Sequence, residues 1–479
     1  MLIRNAEIWS GGPNRTCGDV RVTAGRIAEI GALPPLPGEE VIHAGGGLLL
    51  PGLHDHHIHL AALAAQQSSV SCGSPQVTDA QQLALALKVP GTGWLRAVDF
   101  HESILGGALP DVAALDRLVP DRPLRMQHRT GRMWLLNSRA LETLLANADA
   151  PPGLERDGDR YTGRLFDEDQ WLRKALGSTL PDFAGTSERL ARFGVTGLTD
   201  MSPRNDPSVA QHFAQQIANG HLLQSVTLAG TLALAKGLPA PCTLGPVKLH
   251  LHENALPDFD ETLALIRAAR AQRRAIAVHC VTEVELVFTL ALLETAGCVP
   301  GDRIEHVSIA APDLVERMAR LGLAACAQPH FIAEHGTRYL AEVEPHHHAD
   351  LYRLRTLMNA GIAISAGTDA PYGNPDPWRS MAAAVSRRTT NGVVISAQEA
   401  VSPEKALGFY LADPADFSRQ RSIEPGSIAD LCLLDRPWSQ ARTRLRSDDV
   451  SLVLAAGKLI YQRVDKAPFK RLAGADAPA

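Results

Sequence analysis

Residues 51–60 read Pro51-Gly52-Leu53-His54-Asp55-His56-His57-Ile58-His59-Leu60, directly after the apolar run Leu48-Leu49-Leu50. Side chains of a strand repeat every two residues, so His57 and His59 share a face. Two imidazoles on one face can reach a single ion, and imidazole is the commonest ligand for a borderline cation such as Zn²⁺. A histidine-rich surface turn would carry the same letters. The apolar run and the Pro-Gly pair in front argue instead for the end of a buried barrel strand.

From Phe193 onward, short apolar runs alternate with helical stretches. The runs include Gly194–Thr199, Leu223–Leu228, Pro246–Leu251, Ala275–His279, Arg303–Val307, Leu323–Ala327 and Ile362–Ala366. Between them, 260–272 and 313–321 place apolar residues three and four apart, the spacing of an amphipathic helix. Strand and helix alternating this often imply a parallel sheet, and about eight strands imply a closed (β/α)8 barrel. Its first strand is expected to start near Leu50 and its last to end near Asp369. Lys248, His279, His306 and Asp369 each fall near the C-terminal end of an expected strand, where barrel enzymes keep their active residues. Singly, each has a plain explanation: an edge lysine, a core histidine, a helix cap. With His57 and His59 they form a set of ligand types at successive strand ends.

The remaining segments give an α/β architecture with attachments. Residues 1–50 and 422–470 read as short strands, such as a hairpin over 20–30 and strands at 428–434 and 452–461, so both ends are expected to build one small β-sandwich. Residues 51–421 are the expected barrel. The stretch from about 61 to 188 is too long for an ordinary connection and reads as an inserted lobe after the first barrel strand.

Composition narrows the function classes. The chain has 479 residues, 45% hydrophobic and 21% charged, which excludes a disordered protein. No apolar run is long enough to span a bilayer, and the start lacks the layout of a secretory signal. Lys+Arg 47 against Asp+Glu 52 offers no basic excess for nucleic acid or an anionic membrane. Seven scattered cysteines without a CxxC fit a reducing cytoplasm better than a disulfide scaffold. The expected partner is a small-molecule substrate, and the sequence leaves room for a homo-oligomer.

The order His-x-His, Lys, His, His, Asp resembles the amidohydrolase superfamily. Arg303-Ile304-Glu305-His306, Ala327-Gln328-Pro329-His330, Gly367-Thr368-Asp369-Ala370-Pro371 with Asp376-Pro377, Asn137-Ser138-Arg139-Ala140-Leu141 and Ile423–Leu431 are similar to its amidohydrolase 3 branch of formamide-deformylase-like enzymes. The resemblance implies a TIM-like barrel with a β-sandwich from both chain ends. It implies one or two Zn²⁺ (or other divalent transition metals) held by His57, His59, Lys248, His279, His306 and Asp369. Lys248 would react with carbon dioxide to a carbamate that bridges two ions. The activity implied is hydrolysis of an amide-type C–N bond (N-acyl, N-formyl or cyclic amide) by a metal-activated hydroxide. Asp369 would carry the proton, with His306 or His330 assisting the oxyanion.

Alternatives on the same barrel are a deaminase, an ester or lactone hydrolase, or a binding protein on a decayed site. Mononuclear deaminases of the superfamily lack the lysine and place a Glu three residues after the strand-five histidine; here Glu283 stands at four. Decay would show as lost ligands, and all six positions are filled. The chain departs from the branch at Gly131-Arg132, where Gly-His is usual, and at His250-Leu251-His252-Glu253, where Asp-Gly follows the lysine. Arg129 and Arg132 suit a substrate carboxylate or surface ion pairs equally. Glu344–His348 is expected to be an exposed loop, His54 and His56 to be packed or supporting, and Cys280 to be a buried core residue facing away from the metal.

Overall fold

A computed structural model describes residues 1–10, 16–67, 69–74, 76–177 and 180–463; residues 464–470 of the expected terminal sandwich lie outside that set. Two compact units result, one of Met1–Leu60 with Asp182–Ala479 and one of Ala61–Pro181.

The first unit contains eight parallel strands in sequential order: β1 (Leu53–Ile58), β2 (Val195–Asp200), β3 (Ser225–Gly230), β4 (Thr243–His250), β5 (Ile276–Cys280), β6 (Arg303–His306), β7 (Ala324–Ala327) and β8 (Ile364–Ala366). Most of their residues are buried on both faces, as in a parallel sheet covered by helices, with the start and end of β4 more open. Two backbone bonds draw the ends of the sheet together: Asp369 N donates to His57 O (2.6 Å) and His59 N to Ala370 O (2.9 Å). The barrel is therefore pinned shut at the end where the histidines lie.

The helices between strands start on local signals. Thr282 and Glu285 form a reciprocal capping box at Glu283–Ala296. Asp376 caps Pro377–Ser386, with Pro377 in the first turn.

Leu48–Pro51 differs from the expected barrel start. It pairs with Leu2–Ile8 and Leu431–Leu434 in the terminal sheet, and the barrel begins only at Leu53. That mixed sheet runs Lys458–Gln462, Val450–Ala455, Leu431–Leu434, Leu48–Pro51, Leu2–Ile8, Thr16–Thr23 and Arg26–Gly31, with Val41–His43 also on Leu2–Ile8. The expected strand at 452–461 is a hairpin, because Ala456 (φ 46°) and Gly457 (φ 74°) take the left-handed conformation of a tight turn. The Ile423–Leu431 motif docks on the first hairpin, with Gly426 N donating to Ile27 O (2.7 Å) and Ala429 N to Gly25 O (2.9 Å).

The second unit is a sheet ordered Leu154–Asp157, Arg160–Phe166, Met133–Leu136, Leu124–His128, Leu95–Phe100 and Val70–Ser71. Asn137 knits it together. Its Oδ1 accepts from Ala140 N and Leu124 N, and its Nδ2 donates to the carbonyls of Val119 and Arg122, all buried or partly so. Asn137→Ala removes a helix cap and strands buried backbone groups, so a loss of about 2–4 kcal/mol is expected. Denaturant unfolding of the full chain checks this; an unchanged midpoint would reduce the Asn-Ser motif to a surface feature.

Candidate metal centre

At the C-terminal end of the barrel, ligand atoms of His57, His306 and Asp369 all lie within 4.8 Å of one another, with all three residues buried. His59 joins them, its Nε2 3.1 Å from Asp369 Oδ1, where His57 Nε2 stands at 3.4 Å. The His306 ring packs 4.9 Å from His57 and 4.4 Å from His279. These residues come from β1, β5, β6 and the turn after β8.

The Nδ1 atoms of His57, His59 and His306 are engaged, which aims their Nε2 inward. His57 Nδ1 donates to Glu305 Oε2 at 2.5 Å, and His306 Nδ1 to Gln328 Oε1 at 2.7 Å. His59 Nδ1 lies 3.1 Å from Ser202 Oγ. Burial pushes His57, His306 and His279 well below the usual imidazole range, and the charge of Lys248 adds to it. The rings are held neutral, the form that binds metal.

Lys248, on β4, is buried among these groups. Its Nζ has no hydrogen-bond partner among the described residues, and neither does Asp369 Oδ1. Burial lowers the lysine's pKa, against the pull of Glu305 and Asp369. A buried amine and a buried carboxylate oxygen without partners are costly. The orphaned Asp369 oxygen and the inward-facing neutral imidazoles are what a divalent cation would satisfy, so these residues fit a metal, with Lys248 able to join them only in a form that is not protonated.

The backbone is strained here. Asp369 (φ 51°), His306 (φ 71°) and Val307 (φ 48°) occupy the left-handed region without being glycine. Such residues cost about 1–3 kcal/mol each and gather where function requires a geometry. At Gly367 a Cβ would stand 2.3 Å from His57 N, so only glycine lets the last turn approach β1 this closely.

Several supporting groups escaped the sequence reading. Asp55 accepts from Thr368 N (2.9 Å) and Thr368 Oγ1 (2.5 Å), tying β1 to the turn that carries Asp369. Burial pushes its carboxyl up to about 7. Glu305 is gripped by Arg303 Nε at 2.6 Å, both fully inside the barrel. Neighbouring strand residues normally face opposite sides. The positive φ at His306 interrupts that alternation, and Glu305 and His306 both reach His57. Glu305→Gln is expected to lower metal affinity about 10–100-fold, the usual worth of a carboxylate behind a ligating histidine. Competition titration against a chromophoric chelator reads this, and unchanged affinity would make Glu305 only a partner for Arg303.

Other candidates sit elsewhere. His330 Nε2 donates to Thr368 O (2.9 Å), which leaves Nδ1 a buried acceptor without a partner. A neutral His330 thus has no proton for an oxyanion and instead steadies the Thr368–Asp369 turn. His54 bonds Thr199 Oγ1 (2.9 Å) and His56 packs on Phe417. Cys280 meets Thr289 Oγ1 on the following helix, and burial pushes its thiol up to about 12. Residues Pro345–Asp350 form a 3-10 turn in which His348 bonds Val343 O. Arg132 is an exposed ion-pair partner of Asp167. His250 stacks on His279 at 4.3 Å, with His252 beside it.

Among the described residues, no helix is long and apolar enough to cross a membrane. The sequence profile of the amidohydrolase family matches residues 40–461. The chain is 26% identical to an N-substituted formamide deformylase of Arthrobacter pascens, over 97% of this chain and 98% of that one. In fold it is similar to two crystal structures titled uncharacterized metal-dependent hydrolases. That from Pyrococcus horikoshii OT3 has a TM-score of 0.77 at 22% identity, covering 91% of this chain and 97% of its own. That from Pyrococcus furiosus has a TM-score of 0.73 at 23% identity, covering 91% and 98%.

Proposed function

Since the chain belongs to the amidohydrolase family, we propose that it is a metal-dependent hydrolase that cleaves an amide-type C–N bond of a small molecule. The observation that carries this reading is the convergence of His57, His306 and Asp369 on one point beside the unpartnered Lys248 amine. The full-length likeness to a formamide deformylase supports the choice of bond.

His57, His59, His279, His306 and Asp369 would hold one or two divalent ions, Zn²⁺ being the best match to imidazole and carboxylate donors. Lys248, as a carbamate, would add an anionic ligand to this set. Bound metal supplies Lewis acidity for the carbonyl and brings the pKa of water from about 15.7 towards 7. The chain's own residues do the rest. Asp369 accepts the proton of the attacking water and passes it to the departing nitrogen, which leaves poorly unless protonated. Asp55 and His330 hold Asp369 in place through Thr368. Glu305 and Gln328 keep His57 and His306 in the tautomer that faces the reacting centre.

The test is an assay of the Zn²⁺-loaded protein against N-formyl, N-acyl and cyclic amides, with amine and carboxylate release measured. Turnover of one of these classes is expected. Turnover confined to esters and lactones, or ammonia release from amino-heterocycles alone, would replace the amide assignment.

A further inference from the structure

The inserted unit carries a second constellation of ligand types, remote in sequence from the barrel set. The strands Leu95–Phe100 and Leu124–His128 are parallel neighbours, with Phe100 in register with His128. His101 follows the first strand and His128 ends the second. Glu102 opens the 3-10 turn between them, Glu102–Leu105, which His101 caps. Its Oε2 lies 2.8 Å from His128 Nε2 and 3.6 Å from His101 Nε2. The ligand atoms of His101, Glu102 and His128 all fall within 4.8 Å of one another.

We propose that His101, Glu102 and His128 form a divalent transition-metal site of the inserted unit, with Zn²⁺ the ion it takes most readily. Two imidazoles and one carboxylate are a donor set suited to Zn²⁺ and leave a position for water. Each ring has a hydroxyl behind it: His101 Nδ1 is 2.7 Å from Ser103 Oγ and His128 Nδ1 is 2.9 Å from Thr130 Oγ1. Metal binding requires each Nδ1 to exchange the backbone amide it accepts for donation to its hydroxyl, which releases Nε2 for the ion. The side chains are 27%, 34% and 9% exposed for His101, Glu102 and His128, so an ion can enter without unfolding the unit. The hydrogen bond between His128 and the Glu102 carboxylate helps lower that carboxylate's pKa, after the larger effect of Glu102's own backbone amide. The backbone amides of Ser103 and Thr130 also reach the Nδ1 atoms, at 3.2 and 3.3 Å. A metal-free trio would use those contacts, with Nε2 protons shared with Glu102.

The experiment separates this site from the barrel. His57→Ala/His59→Ala protein, full length, is titrated with Zn²⁺ by calorimetry and compared with the same protein carrying His101→Ala and His128→Ala in addition. The first should bind one more equivalent than the second. Hydrogen exchange in residues 95–130 of the first should slow on adding Zn²⁺. Independently, wild-type crystals grown with Zn²⁺ should show an anomalous peak at the zinc edge between His101, Glu102 and His128. Equal stoichiometry in both proteins, or no peak there in crystals whose barrel site is occupied, would establish a metal-free hydrogen-bonded trio and overturn the proposal.

Discussion

Asp369→Asn protein is expected to stay folded and keep much of its metal while turning over about 10²–10⁴ times more slowly, the usual worth of general acid–base catalysis. Asparagine preserves the size of the side chain but cannot accept a proton. The plain alternative is a carboxylate that only caps the next helix, which would cost about 1 kcal/mol of stability and no rate. That helix is capped by Asp376, whose carboxylate accepts from Trp378 N and from Ser447 Oγ. Asp369 instead keeps Oδ1 buried without a hydrogen bond, facing His57 and His59, in a left-handed backbone that no cap requires. Near-normal turnover by a folded, metal-loaded variant would end the proton-shuttle role.

Lys248→Ala is expected to lose one barrel ion and at least ~10² in activity, since a lost metal ion removes several kcal/mol of transition-state stabilisation. Small carboxylic acids should restore part of both by occupying the place of the carbamate. Burial and the nearby Arg303 charge oppose an ammonium here, while Glu305 and Asp369 favour it. Burial favours the neutral amine, which can react with carbon dioxide. If the alanine variant keeps the same metal content, the bridging role is wrong and Lys248 is a spacer.

Much of this centre could be read from the chain because strand periodicity and barrel topology act together. His57 and His59 share a face by their spacing, and His279 and His306 end successive parallel strands. What could not be read depends on departures from regularity. Glu305 is adjacent to His306, and an ideal pleat would turn it away; the positive φ at His306 brings both residues to His57. Asp55 passes unnoticed because its partner, Thr368, is 313 residues along the chain. Leu48–Pro51 and Leu53–Ile58 follow one another with only Gly52 between them and are buried alike, so the switch from terminal sheet to barrel leaves no gap for a sequence pattern to mark. His330 follows Gln328-Pro329 at a strand end, as an oxyanion donor would, but its proton is committed to Thr368 O, a contact 38 residues along the chain. The His101, Glu102 and His128 trio joins strand ends 27 residues apart within the inserted unit, and spacing alone gave no reason to link them.

The most direct test is to follow metal content and hydrolytic activity together as wild-type protein is stripped by a chelator and reloaded with Zn²⁺. Activity should fall as the barrel ions leave and return as they are restored, and the activity of His57→Ala/His59→Ala protein should respond to neither treatment. A chelator-stripped chain that contains no metal and retains full activity would contradict a metal-dependent reaction at the barrel end.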